Sequence, residues 1–393
     1  MIEKYYSGVI EQIYNRIGKE TRNIVMANYS NDFSIENLEV IRRYQSNEDN
    51  VFFAYSEFSY NTLVGAYEPF LDIICNMHRR FIGGSFDDFQ KECGVYYLHR
   101  QVLNSYYETG ECFREETVLL NEVAYEQRRM TMAIADMLKR LSEVRPLMIV
   151  INRFQMASKS SIETIKYLID NPCANIGIVL GVNAIVKGAD STVEVWDRIV
   201  ESLEDRSAIY YIGSAGPLKN NIKTTNDDEL YITMNFEQSI QEASNIMEFL
   251  DYEQARRGCR IIEHKIKFEN AWIDEKSLRR FYLVYARTSV LLGEMSKAIE
   301  LMNEYKALIP ENDSEHYFSL YYFMKGTCYM YQGKLEKAEG CAKKAYDYAL
   351  LADDELLEFK SELLSVMIKM SGWYNIFFCV QDIPVSDEII EKL

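Results

Sequence analysis

The sequence predicts an α/β domain built on a parallel sheet, followed by an all-α domain of helical repeats. Three observations carry that expectation. Short buried strands alternate with amphipathic helices up to about residue 212. Beyond about Leu230 the strand pattern stops and helix follows helix. Within this helical stretch a single local pattern returns at an offset of 40 residues. The boundary implied is 1–220 for the first domain and 221–393 for the second.

The elements follow in order. Val9, Ile10, Ile13 and Ile17 recur at helical spacing, and the helix they mark ends near Gly18. Asn23–Ala27 reads as a short buried strand. The polar run Asn28–Ser34 separates it from a helix starting near Ile35, with Leu38 and Ile41 on one face. Asn50–Tyr55 reads as a second strand, and helices are expected over Tyr67–Phe81 and Thr117–Glu143. Pro146–Ile151 is the clearest buried strand. It leads through Asn152-Arg-Phe-Gln-Met-Ala-Ser158 into a helix over Ile162–Ile169. Strands at Ile176–Leu180 and Ala208–Ile212 complete the series. Alternation of this kind builds a parallel sheet covered on both faces.

Composition narrows the function. The 393 residues are 48% hydrophobic, with only 6 Pro and 18 Gly, which fits two or three packed domains and excludes a disordered or collagen-like chain. Lys and Arg total 43 against 60 Asp and Glu, a net charge of −17 that repels phosphate backbones, so direct nucleic-acid binding is not expected. Met1-Ile-Glu-Lys-Tyr-Tyr is unlike a signal peptide, and no window has the apolar length of a membrane span. The eight cysteines are scattered without a C-x-x-C pair, as in a reduced, cytoplasmic protein. His78, His99, His264 and His316 lack metal-ligand spacing, so no metal site is expected. Paired carboxylates such as Asp87-Asp88 and Asp353-Asp354 have no basic or nucleophilic neighbour and read as helix caps. The 29 tyrosines, several of them adjacent, read as helix-packing residues, with a binding surface as the alternative.

In the helical stretch, Leu291-Leu-Gly293-Glu-Met-Ser-Lys-Ala298 is echoed by Met330-Tyr-Gln-Gly333-Lys-Leu-Glu-Lys-Ala338, and a fainter copy runs Phe249-Leu-Asp-Tyr-Glu-Gln-Ala255. Each is a tight turn between two helices followed by an Ala, whose small side chain lets the two backbones approach. The pattern resembles tetratricopeptide (TPR) repeats, although the spacing exceeds their usual length. The resemblance puts Ala286 and Gly326 at the small position of the first helix and Tyr329 at its aromatic position. Ala298 and Ala338 take the small position of the second helix, and Pro310 closes a repeat.

Over about residues 5 to 215 the order of elements resembles the nucleotide-binding domain of AAA-like and STAND signal-transduction ATPases, which has a P-loop-NTPase-like fold. Asn23–Ala27 stands where those proteins have the strand before the phosphate loop. Tyr67-Glu-Pro-Phe70 resembles their Tyr-x-Pro-Phe element. The run Ala135–Ala157 tracks their helix, Arg-Pro step, second acidic strand and the His/Gln-x-Ala beyond it.

The chemistry that the resemblance implies is missing. A phosphate loop needs glycines whose N–H groups curl round the phosphates, a Lys for the β/γ-phosphates and a Ser or Thr for magnesium. Ala27–Ser34 has neither Gly nor Lys: Asp32 stands at the last glycine position, Phe33 at the lysine position, and Ser34 alone is of the right type. The acidic pair that would hold magnesium is replaced by Asn152 and Arg153, and an amide cannot supply the charge. Arg153 reads as half of a structural salt bridge, with ligand contact as the alternative. Asn183 falls near the phosphate-sensing position.

The expectation is therefore a non-catalytic pseudo-ATPase scaffold, the sensor region of a bacterial-type signalling or transcriptional regulator, whose repeats engage a protein or peptide partner. It needs no cofactor. The alternative is a STAND-type regulator that binds ATP or ADP weakly, as a conformational ligand with little or no hydrolysis. Self-association into a homo-oligomer stays open. Ser386–Leu393 starts a capped helix that stops after two turns, so a longer protein with an output module, such as a DNA-binding helix-turn-helix or a signalling enzyme, is also expected.

Overall fold

The computed structural model describes residues 2–21, 23–29, 38–46, 50–58, 63–112, 122–183, 186–187, 209–211, 223–224, 235–268, 273–312 and 314–377. Five strands form one parallel sheet: β1 (Ile24–Tyr29), β2 (Phe52–Glu57), β3 (Leu147–Asn152), β4 (Ile176–Asn183) and β6 (Ile209–Tyr211). Their order is β2-β3-β4-β1-β6, so the first strand lies between the fourth and the last. Two short strands, β5 (Val186–Lys187) and β7 (Lys223–Thr224), pair with each other in a second sheet.

Burial explains why these segments are strands. All six residues of β3 are fully buried, so its unbroken apolar run serves a strand with both faces covered. On one face, Tyr6, Ile10 and Ile13 of the helix Ile2–Arg16 pack with Leu38 and Ile41 onto Val25, Ala27, Met148, Val150 and Val179. On the alternate positions Met26, Ile149, Ile151, Ile178 and Leu180 are fully buried too. The first helix sits so close that a Cβ added to Gly177 would meet Ile13 Cγ2 at 2.9 Å.

The strands expected at 23–27, 50–55, 146–151, 176–180 and 208–212 are all present, shifted by no more than three residues at either end. Other elements differ. The helix expected from Tyr67 begins at Phe70, runs to Met77 and continues as a π-helical turn His78–Ile82. Pro69 lacks an N–H and restricts Glu68 before it, so Ala66–Pro69 forms a turn instead, with a cis Glu68–Pro69 bond. The helices Phe86–Glu92 and Tyr97–Thr109 were not expected. The long helix runs Val123–Val144; residues 113–121, within the span expected for it, lie outside the described residues, as does the segment 386–393.

The chain divides into two compact units, Met1–Trp272 and Ile273–Leu393. The boundary thus lies beyond the expected 220, because the helix pair Phe236–Glu248 and Tyr252–Phe268 packs within the first unit. Asn245 Oδ1 accepts from the Cys112 backbone N–H (2.9 Å), and Gln254 Nε2 donates to the Val64 carbonyl (3.0 Å). Ala255, fully buried, therefore belongs to this pair in the first unit.

The second unit is helical: Glu275–Leu291, Met295–Ala307, Glu315–Tyr331, Leu335–Ala352 and Glu355–Phe377. Three of its helix ends share one closure. Gly293 and Gly333 are left-handed (φ 77° and 71°), and each helix end is sealed by the paired bonds of a Schellman motif, Glu294 N–H to Ser289 O with Gly293 N–H to Val290 O, and Lys334 N–H to Tyr329 O with Gly333 N–H to Met330 O. The same two bonds close the helix before Asp353 in this unit, and the helix before Leu250 in the first, again at positive φ. Ala286, Ala298 and Ala338 are fully buried, Gly326 is buried, and Tyr329 and Pro310 are half-buried. A Cβ on Gly326 would stand 3.3 Å from Cys341 Cβ and 3.4 Å from the Ala338 carbonyl, so the two helices meet nearly backbone to backbone.

Enlarging Ala338 to Leu should lower stability by about 1–3 kcal/mol through overpacking. Gly340→Ala, in the same helix with open space around it, should raise stability by about 0.5–1 kcal/mol. Chemical denaturation of the two variants checks both signs.

Candidate functional site

In a parallel sheet all carboxyl ends share one edge. Register sets Glu57 of β2 beside Asn152 of β3, and Asn183 of β4 beside Tyr29 of β1. The structure thus brings Asn152, Arg153 and Asn183 to the edge from which the loop after β1 departs. Asp32, Phe33 and Ser34 in that loop lie outside the described residues. From β1 the chain runs to β2 on one side, and from β4 it crosses to β6 on the other. A reversal of this kind is where open α/β sheets take ligands.

Asn152 and Arg153 at this edge are engaged with the protein. Asn152 is fully buried, its Oδ1 2.8 Å from the point where a Cβ on Gly181 would stand. The Tyr6 hydroxyl lies 3.1 Å from the same point and donates to the Ala27 carbonyl (3.0 Å). The missing Cβ of Gly181 is what leaves room for both. Arg153 adopts a left-handed backbone (φ 53°), and its Nη1 lies 3.0 Å from Glu57 Oε1. It also donates to the Phe58 carbonyl (3.4 Å), while Tyr55 donates its hydroxyl to the other Glu57 oxygen. Arg153 is thus the salt-bridged residue anticipated from the sequence. Among the described residues the donor set does not fit a magnesium nucleotide: the Asn152 amide is packed into the core, and Glu57, beside it in the sheet, is already paired with a guanidinium.

Beyond Arg153 the segment Phe154–Ser158 is buried throughout. Ser158 Oγ caps the helix Lys159–Asp170, accepting from Ser161 N–H (3.3 Å). Ser160 Oγ accepts from Tyr67 N–H (3.0 Å), and Ser161 Oγ donates to the Glu68 carbonyl (2.7 Å), which ties the Tyr-x-Pro-Phe turn to this helix start. Asp251 completes the assembly by accepting from Ser160 N–H (3.0 Å), so a buried carboxylate of the chain itself sits at a helix N-terminus. Burial pushes its carboxyl above the ordinary range despite these bonds.

A cavity of about 530 Å³ lies beside the same turn, walled by Gly65, Glu68, Asp72, Tyr106, Glu242 and Phe249, with no basic residue in its lining among the described residues. Gly65 N–H donates to Glu68 (2.9 Å), and Tyr106 donates its hydroxyl to Asp72 (3.1 Å). Burial, reinforced by Glu68 and Asp72, lifts the Glu242 carboxyl from 4.5 to about 7. No family model matches the chain, and no curated protein shows significant sequence similarity to it.

The sequence pointed to Asn152, Arg153 and Asn183 but not to Glu57, Tyr6 or Gly181. Glu57 could have been found by aligning the carboxyl ends of two adjacent parallel strands. Asp251 and Glu242 carry no local signal, since helices remote in sequence deliver them.

Arg153→Ala should destabilise by about 1–3 kcal/mol because it removes the guanidinium that balances the Glu57 charge in a largely buried place. Arg153→Gly should be about 1 kcal/mol less destabilising than Arg153→Ala, since glycine relieves the left-handed backbone; denaturant titration of both variants checks the order. Glu242 takes up its proton more readily folded than unfolded, so stability is highest below pH 4.5 on its account and is lost as pH rises toward about 7. Glu242→Gln should flatten that slope and stabilise at pH 8 by on the order of 2 kcal/mol, measured by denaturation at pH 5 and pH 8.

Proposed function

We propose that the chain is a non-catalytic regulatory scaffold: a degenerate nucleotide-binding domain of the AAA or STAND type retained for its shape, joined to TPR-like helices that engage a protein or peptide partner. In this reading it is the sensor region of a signalling or transcriptional regulator and makes no direct contact with nucleic acid. The observation that carries the reading is the Glu57–Arg153 ion pair beside the packed Asn152 amide, where metal-assisted phosphoryl transfer requires free carboxylates. The parallel sheet, with the strand before the phosphate-loop position lodged next to β4, supports the resemblance to that fold. The repeated Schellman closures and the buried alanines support the comparison with TPR hairpins. Among the described residues no helix is long and apolar enough to cross a membrane.

One observation favours a second reading, in which a nucleotide binds as a conformational ligand: the strand order reverses at β1, the kind of switch point at which open parallel α/β sheets take ligands. Calorimetric titration with ATP and ADP, with and without magnesium, separates the two. The scaffold reading expects no heat of binding and no magnesium-dependent release of inorganic phosphate. Tight binding without phosphate release selects the second reading, and phosphate release that Asn152→Ala abolishes overturns both.

A further inference from the structure

The second unit holds a cluster of cations that lack counter-ions among the described residues. Lys325 Nζ, on helix Glu315–Tyr331, donates to the Tyr321 hydroxyl (2.9 Å) and lies 5.0 Å from the centre of that ring. Lys306 Nζ, on the preceding helix, lies 5.5 Å from the same ring. Around the Tyr329 ring stand Lys325 (5.9 Å), Lys334 (6.0 Å) and Lys337 (6.0 Å). These three ammonium groups are therefore within roughly 12 Å of one another, the span of an extended tetrapeptide at about 3.3 Å per residue. None of the four lysines forms an ion pair among the described residues. Lys334 instead donates to the Gln332 side chain (2.7 Å). Lys306, Lys334 and Lys337 are exposed, and Lys325 and Tyr329 half-buried.

In a chain with a net charge of −17, four neighbouring cations whose contacts among the described residues are rings and neutral acceptors are an unneutralised local charge. Cation–π contacts hold the ammonium groups in place but leave their positive charge available to an anion. A long polyphosphate would meet the repulsion of the whole chain. A short segment bearing a few carboxylates would not, and its backbone could lie over the Tyr329 ring.

We propose that Lys306, Lys325, Lys334 and Lys337, with Tyr321 and Tyr329, form a docking surface for an acidic peptide segment of a partner protein, whose Asp and Glu carboxylates supply the missing counter-ions. This rests on the reading that the helical repeats engage a partner, and it names the chemistry of that partner.

Fluorescence anisotropy of the full chain with a fluorescein-labelled decapeptide rich in Glu and Asp tests it, against the same peptide carrying Gln and Asn. The acidic peptide should bind, weaken as salt rises, and lose about tenfold or more in affinity in the double variant K325E/K337E. Lys369→Glu, an exposed lysine on the last described helix, should change nothing. The neutralised pair K325Q/K337Q, with unchanged helical circular dichroism, reads the same loss if charge reversal disturbs folding. Equal binding of the uncharged peptide, unchanged affinity in both double variants, or preferential capture of an oligothymidylate of equal charge would overturn the proposal. These outcomes leave the scaffold reading standing, whereas magnesium-dependent phosphate release would end its non-catalytic half and leave the partner-binding half on which this proposal rests.

Discussion

A strand covered on both faces cannot slip by one residue without turning its whole side-chain set over. β3 is held in that way: Leu147 to Asn152 are all fully buried, with β2 on one side and β4 on the other. Its register dictates that Asn152 ends the strand beside Glu57, and that Arg153 is the first residue released from the sheet. The left-handed turn at Arg153 then swings the chain into the short Phe154–Met156 turn and sends its side chain to Glu57. One ion pair and one packed amide stand at the end of β3, and both are consequences of that register.

The strands were legible because burial on both faces leaves a continuous apolar mark, clearest at Leu147–Ile151. Their order in the sheet was not, since nothing local in Ile24–Tyr29 says that it will lie between β4 and β6. The helical turns were legible where Gly293 and Gly333 supply the left-handed residue. The equivalent turn at Leu250 was readable only as a faint echo, because a leucine disguises the same geometry. Phe86–Thr109 leaves no comparable mark: its helices are short, and Gly94 and Gly110 interrupt any longer period. Of the site, the positions at the end of β3 were readable and their partners were not. Ion pairs such as Arg153 with Glu57, and bonds such as Ser160 with Asp251, join residues about ninety positions apart.

Net charge conceals a division of labour within the chain. Glu68, Asp72 and Glu242 crowd one cavity in the first unit, with burial raising Glu68 and Glu242 above the ordinary carboxylate range. In the second unit, lysines gather around tyrosine rings with no carboxylate in contact among the described residues. Each arrangement stores like-charge repulsion that a globally balanced surface would avoid. A formal charge of −17 thus describes the far field of the molecule and neither of these local ones.

The helix pair Phe236–Phe268 bears on how the chain can be dissected. Its Asp251 meets the backbone of Ser160, its Gln254 the carbonyl of Val64 and its Asn245 the backbone of Cys112. A protein cut at the change in composition near residue 220 would strip those partners from three separate stretches of backbone and bare Leu63 where it now nests against Gly258. Work on the isolated halves should therefore place the scissors after Phe268, so that the αβ portion keeps its own helical clasp.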